Sequence, residues 1–378
     1  MKAISSLVLV LVMMCLSGIA EAKVSYQFED TEHLTYFEIS GAVRGYYLSD
    51  QRVQWSGMEA VFGAEAVLAP QITREYPWGV TGIRSEFLIH QPFGKRNLAL
   101  SDNNIKKYEP YFDVDPFEMS QLYLHVSKNN TLSFSIGKIL TPFGRTEYPV
   151  LLNSRFDAPF IRSSELILAR ETGILMTYKT GLFSLDLAGV NGEREKDTNS
   201  SKAVMARMGI AKDMDWAFGV SGKWHDGIGS EYDKTFNNYF GVDFKIRLHP
   251  TLVLSGEMIY DQHGYHQKKG EENGTTSLYY REIYHNGDSI SGIGGYLDLG
   301  YKDGHWDIHL NYGEYYPEKV GNPYHDDPIK RLLINVSYRI LPEVRVFATG
   351  MLENERAEED WRKEQSPYGY LMGFQYNF

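Results

Sequence analysis

Residues 368–378, YGYLMGFQYNF, end the chain, and the alternation of residue types within them decides the fold. The even-numbered positions hold tyrosine, methionine and phenylalanine, whereas the odd-numbered positions hold mostly small or polar residues. Because successive side chains of a β-strand point to opposite faces, one face of this strand is apolar. About 9–11 residues suffice for a tilted strand to cross a bilayer. The pattern predicts a membrane-spanning strand, since a soluble protein rarely leaves so long an aromatic strand at a free end.

Further segments show the same period of two, and one of them indicates what the opposite face contacts. These segments are residues 131–136, 240–247, 306–312 and 332–340. In the second of them, Asp243, Lys245 and Arg247 follow one another along one face. A packed core would not accept such a row, but a water-filled lumen would. A soluble sandwich with one solvent-facing sheet is the alternative, and the terminal strand and the export signal favour a transmembrane antiparallel β-barrel.

Residues 1–22 have the parts of a secretory signal peptide. Lys2 supplies the positive charge, and residues 7–16 form an unbroken apolar run. Ala20 and Ala22 give the small–x–small pattern of a cleavage site. The run is too short for a transmembrane helix, which needs about 20 residues. We therefore expect export from the cytoplasm and a location in the bacterial outer membrane.

The chain contains a single cysteine, Cys15, inside the predicted signal peptide. A lipoprotein signal is the alternative for this segment, although Met14 is large where such a signal has a small residue before the cysteine. The exported protein is predicted to contain no cysteine, and therefore no disulfide and no zinc site built on cysteine.

Short turn signals and longer polar stretches alternate between the predicted strands. The short turns are at residues 129–130, 179–181, 212–215, 249–250, 302–304 and 341–342. The longer stretches are at residues 91–115, 191–201, 264–277, 315–327 and 353–366. Short turns at one end and long loops at the other are typical of outer-membrane barrels. We predict one barrel of about 16 strands, with 14–18 allowed, at residues 35–378, after a short periplasmic lead-in at residues 23–34.

The middle of the chain carries a series of short motifs in a fixed order. They are EMSQLYL at 118–124, SIGKILTPFG at 135–144, ARETGI at 169–174, GVNG at 189–192, DTNSSK at 197–202, and Arg207. In these motifs the chain resembles the phosphate-selective porin O/P family of outer-membrane porins. The resemblance implies a 16-stranded trimeric channel. It also implies, for some members, anion selectivity through inward-facing arginines and lysines.

The segment at residues 141–167 is long, contains prolines and does not alternate like a strand. A connection of this length is usually functional, and we expect it to fold into the pore and narrow it. It carries arginines, which would favour anions, and an equal number of carboxylates, so salt bridges that fix the loop to the wall are the alternative. The carboxylates are Glu147, Asp157 and Glu165. The candidate constriction residues are Lys138, Arg145, Arg155, Arg162 and Arg170.

Catalysis, metal binding and cofactor binding are not predicted. His125 and Ser127 share a strand face and faintly resemble the pattern of outer-membrane phospholipases, but the flanking residues and a third group to orient the base are missing. His263 and His266 lie in a predicted loop, and their spacing is a weak signal for a metal site. The net charge of −11 disfavours binding to nucleic acid.

The sequence therefore favours an outer-membrane porin for passive diffusion of small solutes, with a possible preference for anions or phosphate. A non-conducting barrel that serves as an adhesin, anchor or receptor is the alternative. Expected partners are outer-membrane lipid and lipopolysaccharide, the permeating solutes, a homotrimer, and the outer-membrane insertion machinery through Phe378.

Overall fold

The computed structural model describes residues 24–30, 33–50, 60–92, 117–129, 131–144, 170–192, 202–212, 215–225, 235–265, 289–317, 329–353 and 368–378. Its strands are β1 (Val24–Asp30), β2 (His33–Asp50), β3 (Ala60–Tyr76), β4 (Gly79–Pro92), β5 (Phe117–Lys128), β6 (Leu132–Leu140), β7 (Arg170–Thr180), β8 (Phe183–Val190), β9 (Ala203–Lys212), β10 (Trp216–Trp224), β11 (Thr235–His249), β12 (Leu252–Tyr265), β13 (Ser289–Lys302), β14 (Trp306–Pro317), β15 (Ile329–Arg339), β16 (Val344–Glu353) and β17 (Tyr368–Asn377). Within these ranges, no helix is long and apolar enough to cross a membrane.

Strands β2 to β17 pair in chain order, each antiparallel to the next, and β17 pairs with β2, so 16 strands close into a barrel. The predicted fold class and strand number are confirmed. Strand β1 lies in the predicted lead-in and pairs with residues 33–39 of β2. The pairing of β17 with β2 begins only at Ala42. The hairpin of β1 and β2 therefore continues the sheet where the last strand ends.

The two faces of the barrel differ as the period of two predicts. Large apolar side chains are exposed on the outer face, where a bilayer would cover them. Examples are Phe134, Ile136, Phe240, Leu310, Tyr312, Ile334, Met372 and Phe374. Their neighbours in sequence, among them Ser135, Asp243, Asn311, Leu371 and Gln375, point inward and are buried. The alternation of residues 368–378 thus separates a lipid-facing side from a lumen-facing side.

The connections of the barrel are short at one end and long at the other. The predicted short turns join the strand pairs from β5–β6 to β15–β16, and a further short turn at Pro77 and Trp78 joins β3 to β4. In the turn between β13 and β14, the Asp303 carboxylate accepts hydrogen bonds from the backbone N–H groups of Trp306 and His305. These bonds lower the pKa of Asp303 below its usual value, because they favour the ionised carboxylate.

The seam that closes the barrel lies at the end of the chain. The Gly41 N–H donates to the Phe378 carbonyl at 2.8 Å, and the Phe378 N–H donates to the Gly41 carbonyl at 3.0 Å. The Asn377 N–H donates to the Glu343 carbonyl at 2.8 Å. The Phe378 ring lies against Gly41, since a Cβ atom at residue 41 would lie 2.7 Å from Phe378 Cζ. The terminal residue thus joins the last strand to the first strand of the ring.

We predict that Gly41→Ala lowers the free energy of unfolding by about 1–3 kcal/mol, because the added methyl meets the Val67 carbonyl and the Phe378 ring. Urea unfolding of the barrel in lipid vesicles measures this change. Gly350→Ala is the matched control, since no atom lies within 4 Å of a Cβ at that position. Equal stability of both variants would contradict the close contact at the seam.

Candidate functional site

The inner face of the barrel carries charged side chains of both signs. The buried charged residues are Arg44, Glu65, Glu86, Glu171, Arg207, Lys223, Asp243, Glu257, Asp261 and Arg331. Several form ion pairs along the wall. Arg44 of β2 lies 3.1 Å from Glu65, its direct cross-strand partner on β3. A buried charge needs such a partner, because desolvation of an isolated charge is costly.

One ion pair crosses a whole strand. Arg207 of β9 reaches Asp243 of β11 at 2.8 Å, and β10 lies between them. Gly219 of β10 leaves the space for the guanidinium, since a Cβ atom there would collide with Arg207 and Asp243. A residue with a side chain at position 219 would therefore displace the pair.

Exposure of the inner face changes along the barrel axis. On β14, Tyr315 near the long connection is 1% exposed, whereas the His309 side chain nearer the short turn is 45% exposed. On β13, Tyr296 is buried and the Lys302 side chain is 67% exposed. On these two strands, the inner face is therefore buried toward the long connections and exposed toward the short turns. We call the exposed inner-face region around Asp298, Asp307 and His309 the vestibule.

In the vestibule, His309 lies between two carboxylates. Its Nδ1 is 2.9 Å from Asp298, and its Nε2 is 3.0 Å from Asp307. A neutral imidazole has one N–H, so donation from both ring nitrogens requires the protonated ring. Elsewhere on the inner face, His125 Nδ1 lies 3.1 Å from the Ser135 hydroxyl of β6. The described residues contain no group of three or more His, Cys, Asp and Glu side chains suited to a metal ion.

The connection between β6 and β7 turns into the lumen at its first residues. The Phe143 N–H donates to the Thr141 carbonyl at 2.8 Å, which forms a tight turn centred on Pro142. The fixed φ of proline suits this turn. Gly144 follows with φ of 64°, a left-handed conformation that favours glycine. The sequence Thr-Pro-Phe-Gly thus redirects the chain immediately after β6.

This turn contacts the inner face of β10 and β11, several strands away from β6 around the barrel. The Gly144 N–H donates to the Ser221 hydroxyl of β10 at 3.0 Å. The Phe143 ring packs edge-on against the Tyr239 ring of β11, with centroids 4.6 Å apart. Since β7, β8 and β9 lie between β6 and β10, only a path through the lumen brings these residues together. Residues 141–144 therefore narrow the lumen; residues 145–167 of the predicted constriction segment lie outside the described ranges.

The predicted site residues fall in different places. Arg170 begins β7 and forms an ion pair with Glu86 at 3.2 Å, which fixes the end of the β6–β7 connection to the wall. Lys138 lies on the outer face of β6 with Phe134 and Ile136, and its ammonium donates to the Met119 carbonyl at 2.8 Å. This position does not support a place for Lys138 in the constriction. Arg145, Arg155 and Arg162 lie outside the described ranges.

Comparison with known proteins identifies the fold. No family model and no curated protein matches the chain. Its structure is similar to OmpF of Salmonella typhi in complex with daunomycin, with 10% identity, a TM-score of 0.62, and coverage of 93% of this chain and 100% of that one. The anion-selective porin of Comamonas acidovorans gives 10% identity and a TM-score of 0.61, with 92% and 100% covered. A trimer form of the outer-membrane protein OmpT of Vibrio cholerae gives 13% identity and a TM-score of 0.57, with 91% and 99% covered.

The chain therefore has the fold of the bacterial outer-membrane β-barrels. Within that class it has the closed 16-stranded fold of the porins. At these identities the similarity concerns the fold.

We predict that a cysteine at position 309 reacts with a water-soluble maleimide, whereas a cysteine at position 351 reacts at least about tenfold more slowly. Both positions face inward, but His309 lies in the open vestibule and Met351 is 1% exposed. Mass spectrometry of His309→Cys and Met351→Cys in lipid vesicles measures the modification. Leu310→Cys is the control for the lipid-facing side and should resist the reagent until detergent replaces lipid. Equal rates at positions 309 and 351 would contradict the difference in exposure between these two inner-face positions.

Proposed function

We propose that the chain forms a water-filled channel through which small solutes diffuse passively across the outer membrane. The observation that carries the proposal is the inward turn of residues 141–144, which narrows a 16-stranded barrel whose inner face is charged. A barrel of this size is wide enough for an aqueous channel. A connection inside the lumen then sets the minimum width and the charge that a solute meets.

A preference for anions or phosphate is the finer part of the proposal. The resemblance to the phosphate-selective porin O/P family supports it, as do the arginines of the β6–β7 connection. Arg170 is paired with Glu86, which leaves Arg145, Arg155 and Arg162 as candidates in the connection. Arg145 and Arg155 are the two chosen for the test. Among the buried charges of the inner wall that the structure describes, carboxylates outnumber cationic groups. The wall therefore does not favour anions, and selectivity for them would have to come from the connection.

A non-conducting barrel is the second candidate, and one observation favours it. Six inner-face residues of β2, β15, β16 and β17 form a buried apolar cluster. Its members are Tyr46, Leu48, Leu333, Phe347, Met351 and Leu371. Apolar side chains covered in this way are found where a barrel lumen is filled rather than open. A receptor or anchor would need no open pore.

Four further proposals complete this function. The chain assembles as a homotrimer, which the trimer form of the similar OmpT structure supports. Residues 1–22 are removed as a signal peptide, and Phe378 is recognised by the outer-membrane insertion machinery. The protein is not an enzyme: His125 bonds to Ser135 rather than to Ser127, so the faint resemblance to a phospholipase has no matching geometry in the described residues.

Single-channel recording in planar bilayers tests the proposal. We expect purified protein to give discrete conductance steps and, in a salt gradient, an anion-directed reversal potential. Addition of phosphate should lower the current by blocking the pore. Arg145→Ala with Arg155→Ala should shift the reversal potential toward cations, because positive charge leaves the constriction.

The matched control is Lys128→Ala with Lys212→Ala, which removes two exposed charges at the short-turn end of the barrel. This variant should keep the reversal potential of the wild type. Absence of conductance steps would refute the channel and favour the non-conducting barrel. A cation-directed potential in the wild type would refute the anion preference alone.

A further inference from the structure

Lys223, on the inner face of β10, contacts residues of several separate segments of the chain. Lys223 and Glu171 form an ion pair between β10 and β7, and both side chains are 0% exposed. Glu171 is the second residue of β7, so it lies just after the β6–β7 connection. The pair therefore ties the end of that connection to β10, although β8 and β9 lie between the two strands.

The start of the β8–β9 connection joins the same pair. The Gly192 N–H donates to Glu171 Oε2 at 2.7 Å, and Lys223 Nζ donates to the Gly192 carbonyl at 3.5 Å. Gly192 has φ of 87°, and a Cβ atom there would lie 2.8 Å from the His225 ring. Only glycine allows the chain to approach the wall so closely.

The start of the β6–β7 connection reaches the same place through an aromatic contact. Lys223 Nζ lies 5.3 Å from the centroid of the Tyr239 ring, within the range of a cation–π contact. The Tyr239 ring packs against Phe143, and Ser221, two residues before Lys223, accepts the Gly144 N–H. Both ends of the β6–β7 connection are thus held on the inner face of β10.

Because the Lys223–Glu171 ion pair is fully buried, it is stable only in a narrow range of geometries. Two charges removed from water are stable only when they stay in contact and their remaining hydrogen-bonding groups are satisfied. Here the Glu171 carboxylate also accepts a hydrogen bond from the Gly192 N–H. The Lys223 ammonium also contacts the Gly192 carbonyl and the Tyr239 ring. Displacement of one of these segments would break hydrogen bonds that hold the others, so their positions are coupled through Lys223 and Glu171.

We propose that Lys223 is the positioning residue of the constriction: its ammonium holds both ends of the β6–β7 connection and the start of the β8–β9 connection against β10. The consequence for conduction rests on the proposed channel function. With the ammonium in place, the lumen has one fixed width. Without it, residues 141–144 and 192 separate from the wall, and the width fluctuates.

Amide hydrogen exchange in the double variant Lys223→Met with Glu171→Gln tests the positioning. The variant removes the ammonium without leaving a buried carboxylate unpaired, and the side-chain amide introduced at position 171 keeps an acceptor for the Gly192 N–H. We expect exchange at the amides of Gly144 and Gly192 to become at least about tenfold faster, since a local opening then costs less. In bilayers, the same variant should show a noisier open-channel current and pass larger polyethylene glycols.

The control is Arg207→Met with Asp243→Asn, which neutralises another buried ion pair on the flanking strands. It should leave exchange at Gly144 and Gly192 at the wild-type rate. If the Lys223 double variant does not fold, Gly192→Ala displaces the same segment through His225 and should also speed exchange at Gly144. Unchanged protection at both amides in a folded variant, or equal loss in the control, overturns the proposal.

The two readouts separate this proposal from the channel function. Loss of amide protection in a protein that gives no conductance steps would support the role of Lys223 and refute the channel. Wild-type conductance steps with unchanged amide protection in the folded double variant would support the channel and refute the role of Lys223.

Discussion

The rest of this structure depends on the backbone hydrogen bonds between β17 and β2, the last and first strands of the ring. A bilayer offers no water to backbone N–H and C=O groups, so a sheet crosses it only if no edge is left open. Here β17 closes on β2, and Phe378 and Gly41 exchange backbone hydrogen bonds at the end of the seam. The hairpin of β1 and β2 extends the sheet beyond that point. Closure in turn creates a lumen, and the proposed channel runs through it.

Inside the lumen, buried polar contacts replace the apolar core of a soluble protein. Ion pairs such as Arg44 with Glu65 and Arg207 with Asp243 lie flat along the wall. Connections that turn inward then bond to the same wall, as Gly144 does with Ser221. In the vestibule, the His309 side chain lies between two carboxylates and remains 45% exposed.

The sequence predicted features that depend on neighbouring residues. Alternation in residues 368–378 predicted the last strand, and the short turns followed from local composition. The turn at Pro77 and Trp78 was missed, although Pro77 and Gly79 carry a turn signal of their own. Strand β1 was missed, because seven residues that pair only with their neighbour were interpreted as a lead-in.

The site was predictable only in part. The Thr-Pro-Phe-Gly sequence indicated that the chain leaves β6, but Ser221, 77 residues away from Gly144, could not be recognised as its partner. That contact depends on the curvature of the closed barrel, which no local pattern contains. Lys138 illustrates the opposite case: it was named as a constriction candidate, although the alternation that places Phe134 and Ile136 outward also places Lys138 outward.

Disulfide trapping between β10 and the inward turn measures the central contact most directly. The Gly144 nitrogen and the Ser221 hydroxyl lie 3.0 Å apart, so cysteines at these two positions are close enough to bond. Gly144→Cys with Ser221→Cys should form a disulfide in the folded barrel under mild oxidation. Gly144→Cys with Thr349→Cys, which pairs the turn with the inner face of β16, should not. A disulfide in the second variant and none in the first would contradict a constriction held on β10.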